Sequence, residues 1–382
     1  MMIEKIEAWP VRLPRDFAKA MGGAGTPTRL AGGAGDYRWS DVYPALYSIN
    51  YETALVKVTM ADGVVGWGEA QAPLAPEVAC EIVRLLLAPA IVGVPFDGSR
   101  AAIEWLWDRM YATMRVRGQT GGFMMDAISG VDIALWDIAG KMAGKPIAAM
   151  LSENPAWRLP AYVSGLPLAG RGAAALPYRD AGLTRFKLFY DTPHTGEFLE
   201  SLDEMPTGTR YAVDALWRFD LDEAIGFGRE LDLREALWFE APLLPESPTE
   251  HAALAQRVAT PIAIGESYRT RYEMAPFFRE GVLRVYQPDL GRVGITEGIR
   301  LASMATVAKA DVVPHLSIAC GPQIAAALQF SAAVNCHLVE YNPQVLAIAN
   351  RFLRTPLRIE TDTYVVPEGP GLGIEIDESK LP

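Results

Sequence analysis

The chain has 382 residues, half of them hydrophobic, and a formal net charge of −11 at pH 7. This length exceeds what a single hydrophobic core usually supports, so two domains are expected, and the apolar content excludes a largely disordered chain. The negative charge disfavours nucleic acid and anionic membrane surfaces as partners.

The first part of the chain predicts an antiparallel sheet followed by helices. Residues 3–13 and 51–70 have strand-like patterns, and Asp62-Gly63 supplies a hairpin turn within the second stretch. The segment between them, at about residues 16–43, is rich in Gly and Ala and has neither helical nor strand periodicity. Such a segment is either a mobile surface loop or a lid over an active site. Helical patterns follow near residues 76–92, 97–113 and 121–142.

From about residue 160 the pattern changes to short strands that alternate with helical segments. Eight β-like runs recur: PAYVSG, RFKLFY, RYAVDA, LWFEAP, IAIGES, RVYQPD, DVVPHL and HLVEYN. This α/β alternation predicts βα units and a parallel barrel, with an open doubly wound sheet as the structural alternative. No G-x-G-x-x-G opens a helix after a strand, which speaks against a dinucleotide site.

The cysteines and the N-terminal segment indicate the cellular compartment of the protein. Cys80, Cys320 and Cys336 are scattered and lack C-x-x-C spacing, so we expect reduced core thiols. The N-terminus MMIEKIEAWPVRLP lacks the apolar run of a signal peptide, and no stretch offers about 20 clean apolar residues. We therefore expect a cytoplasmic protein without a membrane segment.

Three acidic residues end consecutive predicted strands. Asp214 ends YAVD, Glu240 ends LWFE and Glu266 ends IAIGE, one every 26 residues. That interval corresponds to one βα unit, so the three carboxylates should converge at the C-terminal mouth of a parallel barrel. Unpaired buried carboxylates are costly, and a cation would resolve the conflict. Three hard oxygen ligands suit Mg²⁺ better than zinc.

Two further units along, Asp289 in VYQPD and His315 in DVVPHL are again 26 residues apart. A carboxylate on the neighbouring strand could accept the imidazole N–H, fix its tautomer and raise its basicity, as a general base requires. His194, His251 and His337 have no comparable setting, and we expect them in loops or on the surface.

The ordered series of these residues resembles the mandelate racemase group of the enolase superfamily. The resemblance rests on Lys187 in FKLF, Asp214, Glu240 in FEAP, Glu266 in IGES, Asp289 in QPDLGRVGITE and His315 in VPH, and on the segments VVGWGEA, ISGVDIALWDIAGK and GPGLGIEID.

This resemblance implies an overall architecture. It is an α+β capping domain over residues 1–143, a modified TIM barrel of (β/α)7β type over 144–345, and a C-terminal segment, 346–382, that packs back on the capping domain. It also implies a homo-oligomer, either a dimer or an octamer.

The resemblance also implies the chemistry. One Mg²⁺ per chain, held by Asp214, Glu240 and Glu266, would stabilise an enediolate formed when the α-proton of a small carboxylate substrate is removed. Glu340, in LVEYN, matches the acid that hydrogen-bonds the substrate carboxylate.

Two positions depart from the family pattern. Relatives with two bases carry Lys-x-Lys on the second barrel strand, whereas here Lys187 takes the first position and Phe189 the second. Lys187 would then neutralise substrate charge, and His315 would act alone. A register shift that pairs Arg185 with Lys187 would restore a second base. Leu216 follows Asp214-Ala215 where the family commonly has Asn.

A single base favours a hydro-lyase. The predicted reaction is syn dehydration of a sugar acid to a 2-keto-3-deoxy acid, with His315 acting first as base and then as acid. The alternatives are an isomerase, either a racemase or epimerase or a sugar-lactone cycloisomerase, and a catalytically silent metal-binding relative.

Overall fold

The computed structural model describes residues 1–14, 35–40 and 45–381. The segment predicted as a loop or lid, at about 16–43, falls mostly outside these residues. Within it the structure describes the strand Tyr37–Ser40, which pairs antiparallel with Ala45–Ser48.

The described strands are β1 (Ile3–Pro14), β2 (Tyr37–Ser40), β3 (Ala45–Ser48), β4 (Asn50–Met60), β5 (Val65–Ala70), β6 (Arg158–Val163), β7 (Arg185–Phe189), β8 (Arg210–Asp214), β9 (Phe239–Glu240), β10 (Ile262–Ile264), β11 (Val285–Tyr286), β12 (Asp311–Val312), β13 (Val339–Tyr341), β14 (Arg358–Glu360) and β15 (Thr363–Val365). The described α-helices are α1 (Pro76–Ile82), α2 (Ala88–Ile91), α3 (Arg100–Arg115), α4 (Gly122–Ala143), α5 (Ile147–Leu151), α6 (Arg171–Asp180), α7 (Thr195–Asp203), α8 (Leu221–Leu233), α9 (Pro248–Ala255), α10 (Arg271–Arg279), α11 (Leu290–Ala308), α12 (Pro322–Ala333) and α13 (Pro343–Ala349). A π-helical segment, Val83–Leu87, joins α1 to α2, and 3-10 turns cover Asn350–Phe352 and Glu378–Lys380.

The N-terminal sheet is antiparallel, in the order β1-β4-β5. The predicted turn at Asp62-Gly63 joins β4 to β5. Helix α4 lies very close to β5, because a Cβ at Gly68 would stand 1.8 Å from the carbonyl oxygen of Gly130. Only glycine permits this approach, which lets α4 pack directly against β5.

Strands β6 to β12 pair with their neighbours in parallel, and β13 pairs in parallel with β6 on the other side. One helix separates each strand from the next, from α6 after β6 to α12 before β13. The eight strands and seven helices confirm the predicted (β/α)7β order, and the open-sheet alternative is wrong.

Two layers of side chains fill the barrel interior. The lower layer is an apolar cluster drawn from successive strands: Tyr162, Ala212, Trp238, Ala263, Val285, Val313 and Leu338. Because side chains alternate across a strand, residues two positions later point the same way and form the next layer up. That layer holds Asp214, Glu240, Gln287, His315 and Glu340. The polar site therefore rests on an apolar floor.

The C-terminal tail contacts both parts of the chain. Strand β15 pairs antiparallel with β6 of the barrel. Further along, the Leu372 amide donates to Asp137 in α4 at 2.9 Å, and Lys57 in β4 pairs with Glu378 at 2.8 Å. These contacts tie the tail to the N-terminal sheet and helix as well as to the barrel.

The sequence-based prediction for one histidine, His251, is wrong. His251 was expected in a loop or on the surface, yet it is fully buried in α9, where its ring packs edge-on against Phe277. His194 and His337 are exposed, as expected. The three cysteines are free and buried.

Among the described residues, no helix combines the length and the apolar character needed to cross a membrane.

Candidate metal and proton-transfer site

The structure brings the three predicted metal ligands together. Asp214 and Glu240 end β8 and β9, and Glu266 follows β10. Each offers a carboxylate oxygen, and these oxygens lie within 4.8 Å of one another. Gly265 makes the turn before Glu266 with a φ of 158°, and a Cβ there would stand 2.5 Å from the backbone of Gln287. Hard oxygen donors in this arrangement fit a divalent cation such as Mg²⁺.

Lys187 and Glu340 belong to the same cluster. The Lys187 Nζ lies 2.8 Å from Glu240, 3.1 Å from Glu340 and 3.8 Å from Asp214, and its side chain is fully buried. Burial alone would lower the pKa of Lys187, but the charges of Glu240 and Glu340 outweigh it and raise the pKa well above its ordinary value. Lys187 is therefore a fixed cation among the carboxylates.

The charges in the cluster affect two of its acids in opposite directions. Burial would raise the pKa of Glu340, but the neighbouring charge of Lys187 lowers it below the ordinary value. For Asp214, burial and the charge of Glu240 raise the pKa well above the ordinary value. A cation bound here would favour ionised Asp214 and so displace its proton.

Glu240 is held by two residues that the sequence analysis did not identify. Its Oε2 accepts hydrogen bonds from the Trp238 indole at 2.9 Å and from the Gln287 amide at 2.7 Å. These donors leave Oε1 to face the cluster. The signal that could have revealed Trp238 was its position two residues before a ligand, on the same face of the strand.

His315 and Asp289 form the predicted pair. The His315 Nδ1 lies 2.8 Å from Oδ2 of Asp289, and its Nε2 lies 2.8 Å from Glu266. Burial would lower the pKa of His315, but the charge of Glu266 and the hydrogen bonds that the imidazole donates to both carboxylates raise it well above its ordinary value. The imidazole therefore joins an orienting carboxylate on one side to the candidate metal ligands on the other.

Asp289 has two more donors on its other oxygen. The Gly291 amide and the Gln323 side-chain amide each donate to Oδ1 at 2.9 Å. Gln323 comes from the start of α12, beyond β12, and no local sequence pattern pointed to it. With His315 on Oδ2, Asp289 is fixed in orientation.

Phe189 lies level with the cluster. In the parallel register of β7 and β8, Phe189 is opposite Asp214 and Lys187 is opposite Ala212. Arg185 is opposite Arg210, four residues or about 13 Å further down the strand at 3.3 Å per residue. The alternative that paired Arg185 with Lys187 as two bases is therefore wrong. The position level with Asp214 carries an aromatic ring.

Strained backbone follows two of the ligands. Leu216 and Trp217, just after Asp214, have φ values of 56° and 57°, and Ala241, just after Glu240, has a φ of 43°. Left-handed conformations cost non-glycine residues about 1 kcal/mol or more each. Such strain concentrates at functional sites, which supports assigning function to this barrel mouth.

Comparisons with known proteins identify the family. Residues 171–380 match the family model "Enolase C-terminal domain-like", and residues 47–152 match the "Mandelate racemase / muconate lactonizing enzyme, N-terminal domain". The chain is 32% identical over 86% of its length to a D-galactarolactone cycloisomerase from Agrobacterium fabrum, covering 89% of that protein. It is 29% identical over 85% of its length to an arabinonate dehydratase from Saccharolobus solfataricus, covering 88% of that protein.

A solved structure from Sinorhizobium meliloti superposes with a TM-score of 0.92 at 33% identity, covering 99% of this chain and 98% of the other. The fold, the two matching models and these relatives agree with one another. The chain belongs to the mandelate racemase and muconate lactonizing enzyme family of the enolase superfamily.

Proposed function

We propose that this chain is a Mg²⁺-dependent sugar-acid dehydratase with one catalytic base. The observation that carries the proposal is the His315–Asp289 pair beside the three-carboxylate cluster, with Phe189 level with Asp214. The names of its relatives, an arabinonate dehydratase and a D-galactarolactone cycloisomerase, support a sugar acid or its lactone as substrate.

Asp214, Glu240 and Glu266 would hold the metal. Their oxygens are close enough to share one ion, and the bonds from Trp238 and Gln287 turn a single oxygen of Glu240 toward it. When bound, Mg²⁺ would stabilise the negative charge that develops on the substrate carboxylate as the α-proton leaves. Lys187 would supply further positive charge at the same place.

The proton chemistry falls to His315. With Nδ1 held by Asp289, Nε2 would be the nitrogen that accepts the α-proton, once a cation bound by Glu266 draws that carboxylate away from its 2.8 Å contact with Nε2. The C–H bond breaks, and its electron pair passes to the substrate carboxylate. The C–O bond to the β-hydroxyl then breaks, and Nε2 returns the proton to the leaving oxygen, which departs as water. The enol that remains becomes the 2-keto acid, and His315 returns to its starting state.

The geometry favours elimination over racemisation. Racemisation needs proton removal on one face and delivery on the other. Phenylalanine cannot carry a proton, and Phe189, level with Asp214, stands at the position that the family resemblance assigns to the second Lys of two-base relatives. Elimination with the α-proton and the β-hydroxyl on the same face needs His315 alone.

Lactone cycloisomerisation is the second candidate, favoured by the 32% identity to the D-galactarolactone enzyme. It shares the first step, because the α-proton again leaves to a base. The leaving group is then the lactone carboxylate, which departs without a proton. The two functions would thus use His315 differently in their second steps.

A substrate panel tests the proposal. Sugar acids and sugar lactones would be incubated with the enzyme and MgCl₂ in D₂O, and followed by NMR and by 2-keto acid detection. A 2-keto acid product from an open-chain acid supports the dehydratase, and ring opening of a lactone supports the cycloisomerase. Absence of product and of α-proton exchange across the panel would favour the silent relative.

A matched pair of variants tests the base. His315→Asn should abolish turnover and leave Mg²⁺ binding intact, because His315 is not a metal ligand in this scheme. His337→Asn, at an exposed histidine, should behave as wild type. Retained turnover in His315→Asn would refute the mechanism.

A further inference from the structure

The orienting carboxylate Asp289 depends on a glutamine that no sequence motif marked. The Gln323 Nε2 donates to Asp289 Oδ1 at 2.9 Å. Asp289 and Gln323 are both fully buried. A carboxylate can only accept, so the NH₂ group of the amide must face it.

The side-chain oxygen of Gln323 indicates that this residue serves to bind Asp289. Its Oε1 is buried and accepts no hydrogen bond from the described part of the chain. An unpaired buried carbonyl oxygen costs about 1–3 kcal/mol, a cost that an aliphatic residue of similar size would avoid. The hydrogen bond to Asp289 is the contact that such a residue could not make.

Gln323 is itself held by the N-terminal sheet. Glu69, at the end of β5, is fully buried and accepts hydrogen bonds from the backbone amides of Cys320 at 2.6 Å and Gln323 at 3.1 Å. These amides lie at the start of α12, where a helix leaves N–H groups without internal partners. Glu69 thus fixes the point from which the Gln323 side chain leaves the helix.

The start of α11, directly after Asp289, is tied to the same end of β5. The Gly291 carbonyl oxygen accepts hydrogen bonds from the backbone N–H of Gln71 at 2.8 Å and from the Ser129 hydroxyl of α4. Gly291 also donates to Asp289 Oδ1. Both donors to this oxygen are therefore positioned from outside the barrel.

We propose that Gln323 is a positioning residue for the proton-transfer pair, and that Glu69 anchors it across the domain boundary. Gln323 and Gly291 hold Asp289 so that Oδ2 faces Nδ1 of His315. Without the Gln323 donor, Asp289 can turn and the imidazole loses its fixed tautomer. This inference rests on the proposed function for its kinetic consequence, but the His315–Asp289 hydrogen bond can be observed without any turnover.

Two buried glutamines in one helix supply the test and its control. Gln323→Met removes the donor to Asp289 at similar side-chain length. Gln329→Met, in the same helix, removes an equally buried amide whose partners are Ala148, Pro367 and Leu372 and do not include Asp289. If Gln323→Met fails to fold, Gln323→Ala and Gln329→Ala replace the pair, since neither adds volume.

Three readouts would be compared. The first is the downfield ¹⁵N-coupled proton of His315 Nδ1–H, assigned by its loss in His315→Asn. The second is the division of the kinetic effect between kcat and KM, and the third is Mn²⁺ affinity by calorimetry. Gln323→Met should shift or broaden the proton signal and lower kcat about 10- to 100-fold, by analogy with the hydrogen-bond partners that orient metal-ligating histidines. KM and Mn²⁺ affinity should stay within about twofold, and Gln329→Met should change none of the three readouts.

The outcomes separate the two proposals. An unchanged proton signal in Gln323→Met would overturn the positioning role, and so would equal losses in both Met variants. If wild type shows the signal but no substrate reacts, the proposed function fails, while the effect of Gln323→Met on the signal still decides whether Gln323 positions the pair.

Discussion

Replacing Lys187 with methionine tests the electrostatic design of the site. The Lys187 Nζ lies 2.8 Å from Glu240 and 3.1 Å from Glu340, and all three side chains are at most 2% exposed. Removing one partner of such a buried pair typically costs about 3–5 kcal/mol, because the remaining charge is left uncompensated. A domain's total stability is about 5–15 kcal/mol, so the metal-free variant should be severely destabilised.

Magnesium should restore most of that loss. A divalent ion held by Asp214, Glu240 and Glu266 would replace the missing positive charge, so the variant should depend on metal far more than wild type. At about 100 times the dissociation constant, binding to the folded state adds about 2.7 kcal/mol. A control that binds Mg²⁺ gains by the same relation, so we expect Lys187→Met to bind Mg²⁺ about 30-fold more tightly than the control and to regain about 2 kcal/mol more from it.

Urea unfolding with EDTA or with saturating MgCl₂, followed by tryptophan fluorescence, measures this difference. Lys57→Met is the control. Lys57 also pairs with a glutamate, Glu378, but that side chain is more than half exposed and is not part of the cluster. That variant should lose at most about 1 kcal/mol with or without Mg²⁺. An equal destabilisation of Lys187→Met in EDTA and in MgCl₂ would refute the reasoning.

Three further predictions follow from the same site. Trp238→Phe removes a donor from Glu240 and should weaken Mn²⁺ binding about 10- to 100-fold by calorimetry; unchanged affinity would show that Gln287 alone orients this ligand. Phe189→Lys should introduce α-proton exchange on the face opposite His315, seen by NMR in D₂O, and exchange confined to the His315 face would contradict the assignment of that position. Burial raises the pKa of Glu69 to about 7, above its ordinary 4.5, so the stability it contributes is complete below about pH 4.5 and is lost as pH rises through about 7. Between about pH 5 and 6.5, the free energy of unfolding of Glu69→Gln should therefore fall with rising pH less steeply than that of wild type, by about 1.4 kcal/mol per pH unit. The same slope in both proteins would rule out this pKa.

Much of the candidate site could be predicted because it follows strand periodicity. Asp214, Glu240 and Glu266 recur every 26 residues, and the strand ends carry them to one mouth of the barrel. The same alternation could have predicted Trp238, two residues before Glu240 at β9, and Gln287, two residues before Asp289 in the segment that follows β11. His251 was misplaced because it directly follows two exposed polar residues, Thr249 and Glu250, and this polar run gives no sign that the imidazole faces the core.

The sequence by itself determined the alternation of strands and helices, the positions of the acids at strand ends and the placement of Phe189 two residues after Lys187. These are local features, fixed by spacing along the chain. The tertiary structure alone decided which oxygen of each carboxylate faces the cluster, that Lys187 is buried among them, and that Glu69 and Gln323 hold Asp289 from the far side. Those contacts join residues that are distant in sequence, from 34 positions between Asp289 and Gln323 to 254 between Glu69 and Gln323. Only the packing of the capping sheet against the barrel brings them within hydrogen-bonding distance.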